Sequence, residues 1–301
     1  MLFKSNTVVV KLQGGLGNQM FQYAVARALT NDGNIYFDHS FLESNNVDTR
    51  EFTARPYELL IFKNIEAGEA RPWHSDIFRS HAIFYRVIRR LFQPFIKYIR
   101  QNENEPVDIP RFSTGGYLYL DGYFQSERYF EDKRDIIIQQ FTFPELDSAN
   151  ETLGSKIKAT ENSVSIHIRR ADYVGKKAVA DVHGVLPVTY YHKALEILAE
   201  RNGKLGLFIF SDDLNWVKAN FKFPGNDVCF VENNYGPDSW KDMALMSLCR
   251  QHVIANSSFS WWAAWLNADP GKVVISPADW FRKPEFNEQS AFIIPQTWIR
   301  I

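Results

Sequence analysis

The stretch Thr7–Met20 reads TVVVKLQGGLGNQM. Its first six residues, Thr7–Leu12, are dominated by β-branched valine and predict a strand. Gly14-Gly15-Leu16-Gly17 then ends the run with residues that turn tightly and let a ligand approach the backbone. From Leu16 the side chains of Met20, Tyr23, Ala24 and Ala28 return near one helical face. Strand, glycine turn and helix in succession predict an α/β unit whose helix N-terminus can receive an anion.

The same alternation continues outward. Asn34–Asp38 and Tyr117–Leu120 have strand character, and Glu127–Gln140 predicts a helix, while residues 40–115 show no clear period. The polar interval Asp147–Asn162 is expected to be a linker between one domain over residues 1–150 and a second over residues 151–301. Beyond it the pattern is regular. Strands are expected at Ser163–Ile168, Leu205–Phe210, Asp227–Val231, His252–Ala255 and Val273–Ile275. Helices are expected at Tyr190–Arg201, Asp213–Asn220, Ser239–Cys249 and Phe259–Leu266. The fold class is α/β, with two halves and a cleft between them as the simplest arrangement.

With 301 residues, 45% of them hydrophobic and 15% aromatic, the chain can bury a large core. A net charge of −1 argues against a nucleic-acid binder, which would carry a basic excess. Two cysteines, Cys229 and Cys249, imply no disulfide framework. There is no signal-peptide pattern and no apolar run long enough to span a bilayer, so the expected location is cytoplasmic. One segment departs from the even charge balance. Arg79, Arg86, Arg89, Arg90, Lys97 and Arg100 lie among aromatic and aliphatic residues with no acid between Arg79 and Arg100. That stretch is either a solvated face over a core stripe or a peripheral contact with an anionic membrane, such as the inner membrane.

Four constellations could carry chemistry. The first is the glycine turn, where Gly15-Leu16-Gly17 begins a dinucleotide fingerprint that Met20 then breaks; Asp38 stands 21 residues beyond Gly17, where a ribose-binding acid would be. A nucleotide-dependent oxidoreductase or a purely structural turn are its competing readings. The second is His167-Ile168-Arg169-Arg170-Ala171-Asp172 at a strand end, where Arg169 could clamp a phosphate and an arginine and aspartate could orient each other. The bland alternative is a surface ion-pair cluster. The third is Ser211-Asp212-Asp213, with one aspartate as helix N-cap and the other free for a sugar or base. The fourth is Asn256-Ser257-Ser258-Phe259, opening a helix that offers N–H groups to an anion; Trp261, Trp262 and Trp265 behind it read as packing. No separated acids or histidine cluster suggest a metal site.

Gly14–Ala24 (GGLGNQMFQYA), His167–Val174 (HIRRADYV), Phe210–Asp213 (FSDD) and Asn256–Leu266 (NSSFSWWAAWL) resemble, in order and across nearly the whole chain, the α-1,2-fucosyltransferases of glycosyltransferase family 11. GGLGN and HxRR also resemble, more weakly, the α-1,6- and protein O-fucosyltransferases. Ala171 departs from the glycine often found there. The resemblance implies a GT-B fold of two Rossmann-like domains with the active site in the cleft between them, the donor bound mainly by the C-terminal one. It implies inverting, metal-independent transfer of L-fucose from GDP-fucose to the 2-hydroxyl of a terminal β-galactoside, on an oligosaccharide or lipid-linked glycan of the O-antigen kind, with no cofactor.

Carried over residue by residue, the resemblance implies that Arg169 holds the β-phosphate and Arg170 supports it or orients Asp172. His167 and Asp212 or Asp213 would read ribose or guanine, and Ser257, Ser258 and Phe259 would close on the phosphates. Asn18 with Gly15 and Gly17 would meet the fucose, and Asp172 is the candidate base. A non-catalytic lectin that kept the fold is the competing class, and an intact diphosphate clamp argues against it.

Overall fold

The computed structural model describes residues 6–30, 33–102, 105–110, 115–170, 174, 177–182 and 184–301. In chain order the strands and helices are β1 (Thr7–Lys11), α1 (Leu16–Leu29), β2 (Asn34–Asp38), α2 (Ser40–Ser44), β3 (Gly68–Glu69), α3 (Pro72–Arg79), α4 (Ile83–Leu91), β4 (Ile96–Arg100), β5 (Tyr117–Asp121), α5 (Arg134–Gln140), α6 (Ser148–Ala159), β6 (Ser163–Ile168), α7 (Lys177–Val182), α8 (Val188–Asn202), β7 (Gly206–Ser211), α9 (Leu214–Asn220), β8 (Asp227–Phe230), α10 (Trp240–Ser247), β9 (Gln251–Val253), α11 (Ser258–Leu266), β10 (Val273–Ser276), α12 (Pro284–Ser290) and β11 (Ile299–Arg300). The chain divides into two compact units, Met1–Asp48 with Ala54–Pro144, and Thr49–Thr53 with Glu145–Ile301. Each is built on one parallel sheet, so the α/β class and the two Rossmann-like sheets of a GT-B protein are both present.

The first sheet runs β3-β2-β1-β5-β4. Parallel strands are covered on both faces, which is why central β1 can be a valine run: Val8, Val9 and Val10 are all fully buried. The chain leaves β1 toward β2 and β3 on one side, whereas β5 and β4 lie on the other. The carboxyl ends of β1 and β5 therefore flank a topological switch point, where open α/β sheets bind ligands.

The second sheet runs β11-β10-β9-β6-β7-β8. Here the chain leaves β6 toward β7 and β8, then returns to β9 on the other side and moves away through β10. Its switch point lies between the carboxyl ends of β6 and β9. Val164, Ile166 and Ile168 of β6 share a core with Tyr191, Ala194 and Leu198 of α8. The alternate residues Ser163, Ser165 and His167 are equally buried on the opposite face. That row is polar yet largely satisfied: Ser163 Oγ accepts from the Arg250 N–H at 3.1 Å, and Ser165 Oγ lies 2.9 Å from His252 Nδ1.

Two expected elements differ. Glu127–Gln140 is not one helix but two 3-10 turns, Glu127–Tyr129 and Glu131–Lys133, followed by α5. Fully buried Phe130, in a non-helical conformation, separates the turns. The polar interval Asp147–Asn162 is mostly α6 rather than a linker: Asp147 caps it by accepting from the Asn150 N–H at 3.1 Å, and its few buried residues pack on α10. A helix with only a narrow buried stripe has the composition of a linker. Cys229 and Cys249 are free thiols. No helix among the described residues is long and apolar enough to cross a membrane.

Candidate active site

The β6 strand carries its polar row to the switch point, and His167 is its last member. Unlike Ser163 and Ser165, His167 has no hydrogen-bond partner at Nδ1, although the atom is buried. Burial, reinforced by the nearby Arg169 charge, depresses its pKa from 6.5 to about 3, so the imidazole is neutral at pH 7. Its ring centroid lies 5.7 Å from that of Phe259, in the first turn of α11, which follows the neighbouring strand β9. The sheet order thus brings together two motifs about ninety residues apart in sequence.

Immediately after β6 come the two arginines. Arg169 Nη1 lies 2.8 Å from Asp212 Oδ2, and the Arg170 backbone N–H donates to Asp212 Oδ1 at 2.8 Å. Arg170 Nε donates to Asp213 Oδ2 at 3.2 Å while its guanidinium sits 4.0 Å above the Trp216 ring. Asp213 also caps α9, accepting from the Trp216 N–H at 3.2 Å. The cap is therefore Asp213, and Asp212 is the residue that aligns both arginines. β6 and β7 pair in register, with Ile168 opposite Ser211, which puts the two turns side by side. Arg170 is oriented by Asp212 and Asp213; Asp172 lies outside the described residues.

On the β9 side, Ser257 Oγ accepts from the Phe259 N–H at 3.3 Å and so caps α11. Asn256 is buried and its Nδ2 donates to the Trp280 carbonyl at 3.1 Å, pinning the turn. Ser258 and Phe259 are half-buried at the first turn of α11. Trp261, Trp262 and Trp265 are buried in the core, as their packing role requires.

A cavity of about 490 Å³ opens beyond β7 and β8, lined by Ser211, Asp212, Asp213, Leu214, Asn215, Glu232, Asn233 and Tyr235. Sequence reasoning found the aspartates but missed Glu232, Asn233 and Tyr235. Their signal was available, since a polar Glu-Asn-Asn-Tyr-Gly-Pro run begins one residue after the β8 strand. Asn234 anchors this loop from below: its Nδ2 donates to Asn150 Oδ1 at 2.9 Å and to Asp242 Oδ1 at 2.8 Å. Burial raises the Asp242 pKa from 3.8 to about 7, against the lowering effect of that bond.

In the first unit the glycine turn is held by neutral amides. Gln22 accepts from the Gln13 N–H at 3.1 Å and donates to the Gln13 and Gly122 carbonyls at 3.2 Å. Gln19 donates to the Gly14 and Pro56 carbonyls at 2.8 Å and accepts from the Glu58 N–H at 2.9 Å. Asn18 Oδ1 accepts from Gln125 Nε2 at 2.7 Å. Gly14 has φ +74°, and a Cβ there would fall 2.3 Å from Asn18 Nδ2, so only glycine fits. Gly15 is the N-cap of α1, and Gly17 is buried in its first turn.

The Glu58 carboxyl group lies at this helix N-terminus. A Cβ on Gly15 would come 3.2 Å from Glu58 Oε2. Burial raises the Glu58 pKa, countered by the Arg55 charge and a hydrogen bond from the Leu16 backbone. The turn thus already holds a carboxyl group of the chain, whose Oε2 is buried without a hydrogen-bond partner. Asp38 is engaged as well. It accepts from Tyr119 Oη at 2.6 Å, the Ser40 N–H at 2.9 Å and Ser75 Oγ at 3.0 Å. Burial pushes its pKa up, but these bonds outweigh that and leave it below the usual aspartate value. The acid placed where an oxidoreductase would hold ribose is thus taken up by donors of the chain itself.

The described residues contain no group of three or more potential metal ligands.

Two Rossmann-like parallel sheets, with paired arginines and a capped helix at the switch point of the second, make this an α/β protein with a candidate anion site at its second switch point. The chain belongs to glycosyl transferase family 11, whose model matches residues 95–301. It is 33% identical over 288 residues to the O-antigen biosynthesis glycosyltransferase WbnK of Escherichia coli, covering 90% of this chain and 93% of that one. It is 34% identical over 311 residues to the alpha-1,2-colitosyltransferase of Escherichia coli, covering 98% of each. Similarity extends to galactoside 2-alpha-L-fucosyltransferase SEC1 of Bos taurus, 29% identical over 64% of this chain and 53% of that one.

Proposed function

We propose that the protein transfers L-fucose from GDP-β-L-fucose to the 2-hydroxyl of a terminal β-galactoside, with inversion and without a metal ion. The observation that carries this reading is the arginine pair at the β6 end, held by Asp212 and Asp213 beside the N-terminus of α11. When the bond from anomeric carbon to phosphate oxygen breaks, negative charge grows on the leaving GDP and the sugar becomes oxocarbenium-like. Cations already oriented toward that charge stabilise the transition state without reorganising. Arg169 takes this role, and Asp212 positions its guanidinium. Arg170 is fixed by a carboxylate and a ring face, so it supports the turn as much as the ligand.

His167 stays neutral and offers a buried, unpaired ring nitrogen to a hydroxyl or base edge of the nucleoside. The cavity lined by Glu232, Asn233 and Tyr235 has the acceptor groups and the aromatic surface to hold a nucleobase. On the first unit, Asn18 and the Glu58 carboxyl group lie at the glycine turn, where sugar hydroxyls can hydrogen-bond to them. Similarity to an O-antigen biosynthesis glycosyltransferase supports a glycan of the O-antigen kind as natural acceptor.

A second reading has a specific observation in its favour. Full-length similarity to a colitosyltransferase makes the 3-deoxy analogue of fucose an alternative donor sugar. Both readings meet the same experiment. Purified protein is incubated with GDP-fucose or GDP-colitose and a panel of galactose-terminated acceptors, with and without EDTA. The product linkage is then read by NMR. The expected product is α-1,2-linked fucose, formed equally well in EDTA. Faster transfer from GDP-colitose reassigns the donor, and another linkage or no transfer overturns the proposal.

A further inference from the structure

Helix α4 carries its apolar residues on the outside. Ile83, Val87 and Leu91 recur every fourth position with Phe84 beside them, and they are 77%, 50%, 69% and 67% exposed. No residue of the helix is buried. This inverts the usual arrangement, in which the apolar stripe of a surface helix faces the core.

The helix is fixed in that orientation from its other side. Ile88 packs on the cluster of Val9, Ile96, Tyr117 and Tyr119. Arg89 points inward, where Nη1 and Nη2 donate to the Ile77 and Ser80 carbonyls at the end of α3 at 3.0 and 2.9 Å. Turning the stripe inward would break both. Arg79 is committed too, against Asp38, Ser40 and Tyr119. Arg86 and Arg90 remain exposed. At 3.6 residues per turn they flank the stripe, so apolar and cationic groups share one arc. Phe95, just past the helix, is also exposed.

We infer that this face of α4 docks on an anionic lipid membrane. Ile83, Phe84, Val87 and Leu91 enter the boundary between headgroups and acyl chains, while Arg86 and Arg90 pair with lipid phosphates. The charge pattern selects this occupant, because no acid lies between Arg79 and Arg100. A second copy of the chain fits poorly. A two-fold contact would oppose each patch to itself and bring like charges together. The nine-residue helix, about 13 Å long, is also small against the roughly 800 Å² per partner of a stable dimer. The inference does not rest on the identity of the donor or acceptor.

The test is co-sedimentation of the full chain with vesicles of phosphatidylcholine plus phosphatidylglycerol, or of phosphatidylcholine alone, at low and high salt. The protein should bind only the anionic vesicles and be released by salt. Arg86→Gln/Arg90→Gln should weaken partitioning roughly 25-fold, about fivefold for each cation removed. Ile83→Ser/Leu91→Ser should abolish binding while leaving the melting temperature intact, because both side chains are solvated in the free protein. Neither double variant should alter the initial rate on a soluble acceptor. No binding by the parent protein, or binding that survives both double variants, overturns the inference. So does a dimer in sedimentation velocity that Ile83→Ser/Leu91→Ser disperses while vesicles stay unbound.

Discussion

The two units share one architectural device and equip it with different chemistry. In the first, the glycine turn beside β1 and β5 is knitted mainly by neutral amides, since Gln19, Gln22, Asn18 and Gln125 bind backbone and one another, and the strand ends are tied by a Lys11–Asp121 ion pair at 3.1 Å. In the second, the switch point beside β6 and β9 is held by charges, with Arg169 and Arg170 set against Asp212 and Asp213. Each keeps a buried polar atom without a hydrogen-bond partner, Glu58 Oε2 in the first and His167 Nδ1 in the second. A parallel sheet determines where a ligand can sit, and the side chains at its strand ends determine the ligand's charge. Amides suit a sugar with hydroxyls, and arginines suit a diphosphate leaving group.

The sharpest way to break this contrast is Arg169→Ala. Loss of a preorganised cation should lower kcat about a hundredfold or more, with the melting temperature nearly unchanged. Arg169→Lys should restore only part of the rate, since an ammonium lacks the planar fork. Normal turnover by a folded Arg169→Ala protein would shift the role to Arg170.

The mirror experiment in the first unit is Gln22→Leu. It strands the Gln13 N–H and the Gln13 and Gly122 carbonyls, so unfolding in urea should show a loss of about 2 to 3 kcal/mol. If Gln22→Leu is as stable as the parent, the amide network is not what holds the turn.

A third test asks whether charge makes the second unit pH-sensitive. The folded pKa of Asp242, about 7, lies above the ordinary 3.8, so the native state holds a proton that the unfolded chain releases in that interval. Its stabilising contribution is complete below about pH 4 and disappears as pH rises through 7. Between pH 5 and pH 8 the parent should lose about 2 kcal/mol that Asp242→Asn does not lose. Parallel stability curves for the two proteins would remove Asp242 as the cause.

The smallest expected effect belongs to Asp213→Ala. It removes an N-cap worth about 1 kcal/mol and frees Arg170, so the donor KM should rise a few-fold while kcat changes little. A large fall in kcat would place Asp213 nearer the reacting atoms than its capping bond implies.

Local patterns were enough to reveal the sheets and their dangerous ends. A valine run, a glycine turn and a helical period are short-range signals, and so is an arginine pair closing a strand such as β6. They located Arg169, Asp212 and Ser257 because each stands within two residues of a strand or helix end. The same short range misled at α6, whose narrow buried stripe hides in a polar composition, and at Glu127–Gln140, where Phe130 breaks the helix.

Only the tertiary structure decided the partners. Arg170 takes Asp213, 43 positions away, because β6 and β7 lie side by side in register. Glu58 reaches the α1 N-terminus because Gln19 receives its backbone N–H 39 residues along the chain. The outward stripe of α4 is the clearest case. Periodicity shows that a helix has an apolar face, but where that face points depends on what covers its other side. Here Ile88 and Arg89 are the residues held from within, and the four apolar side chains are left to the solvent.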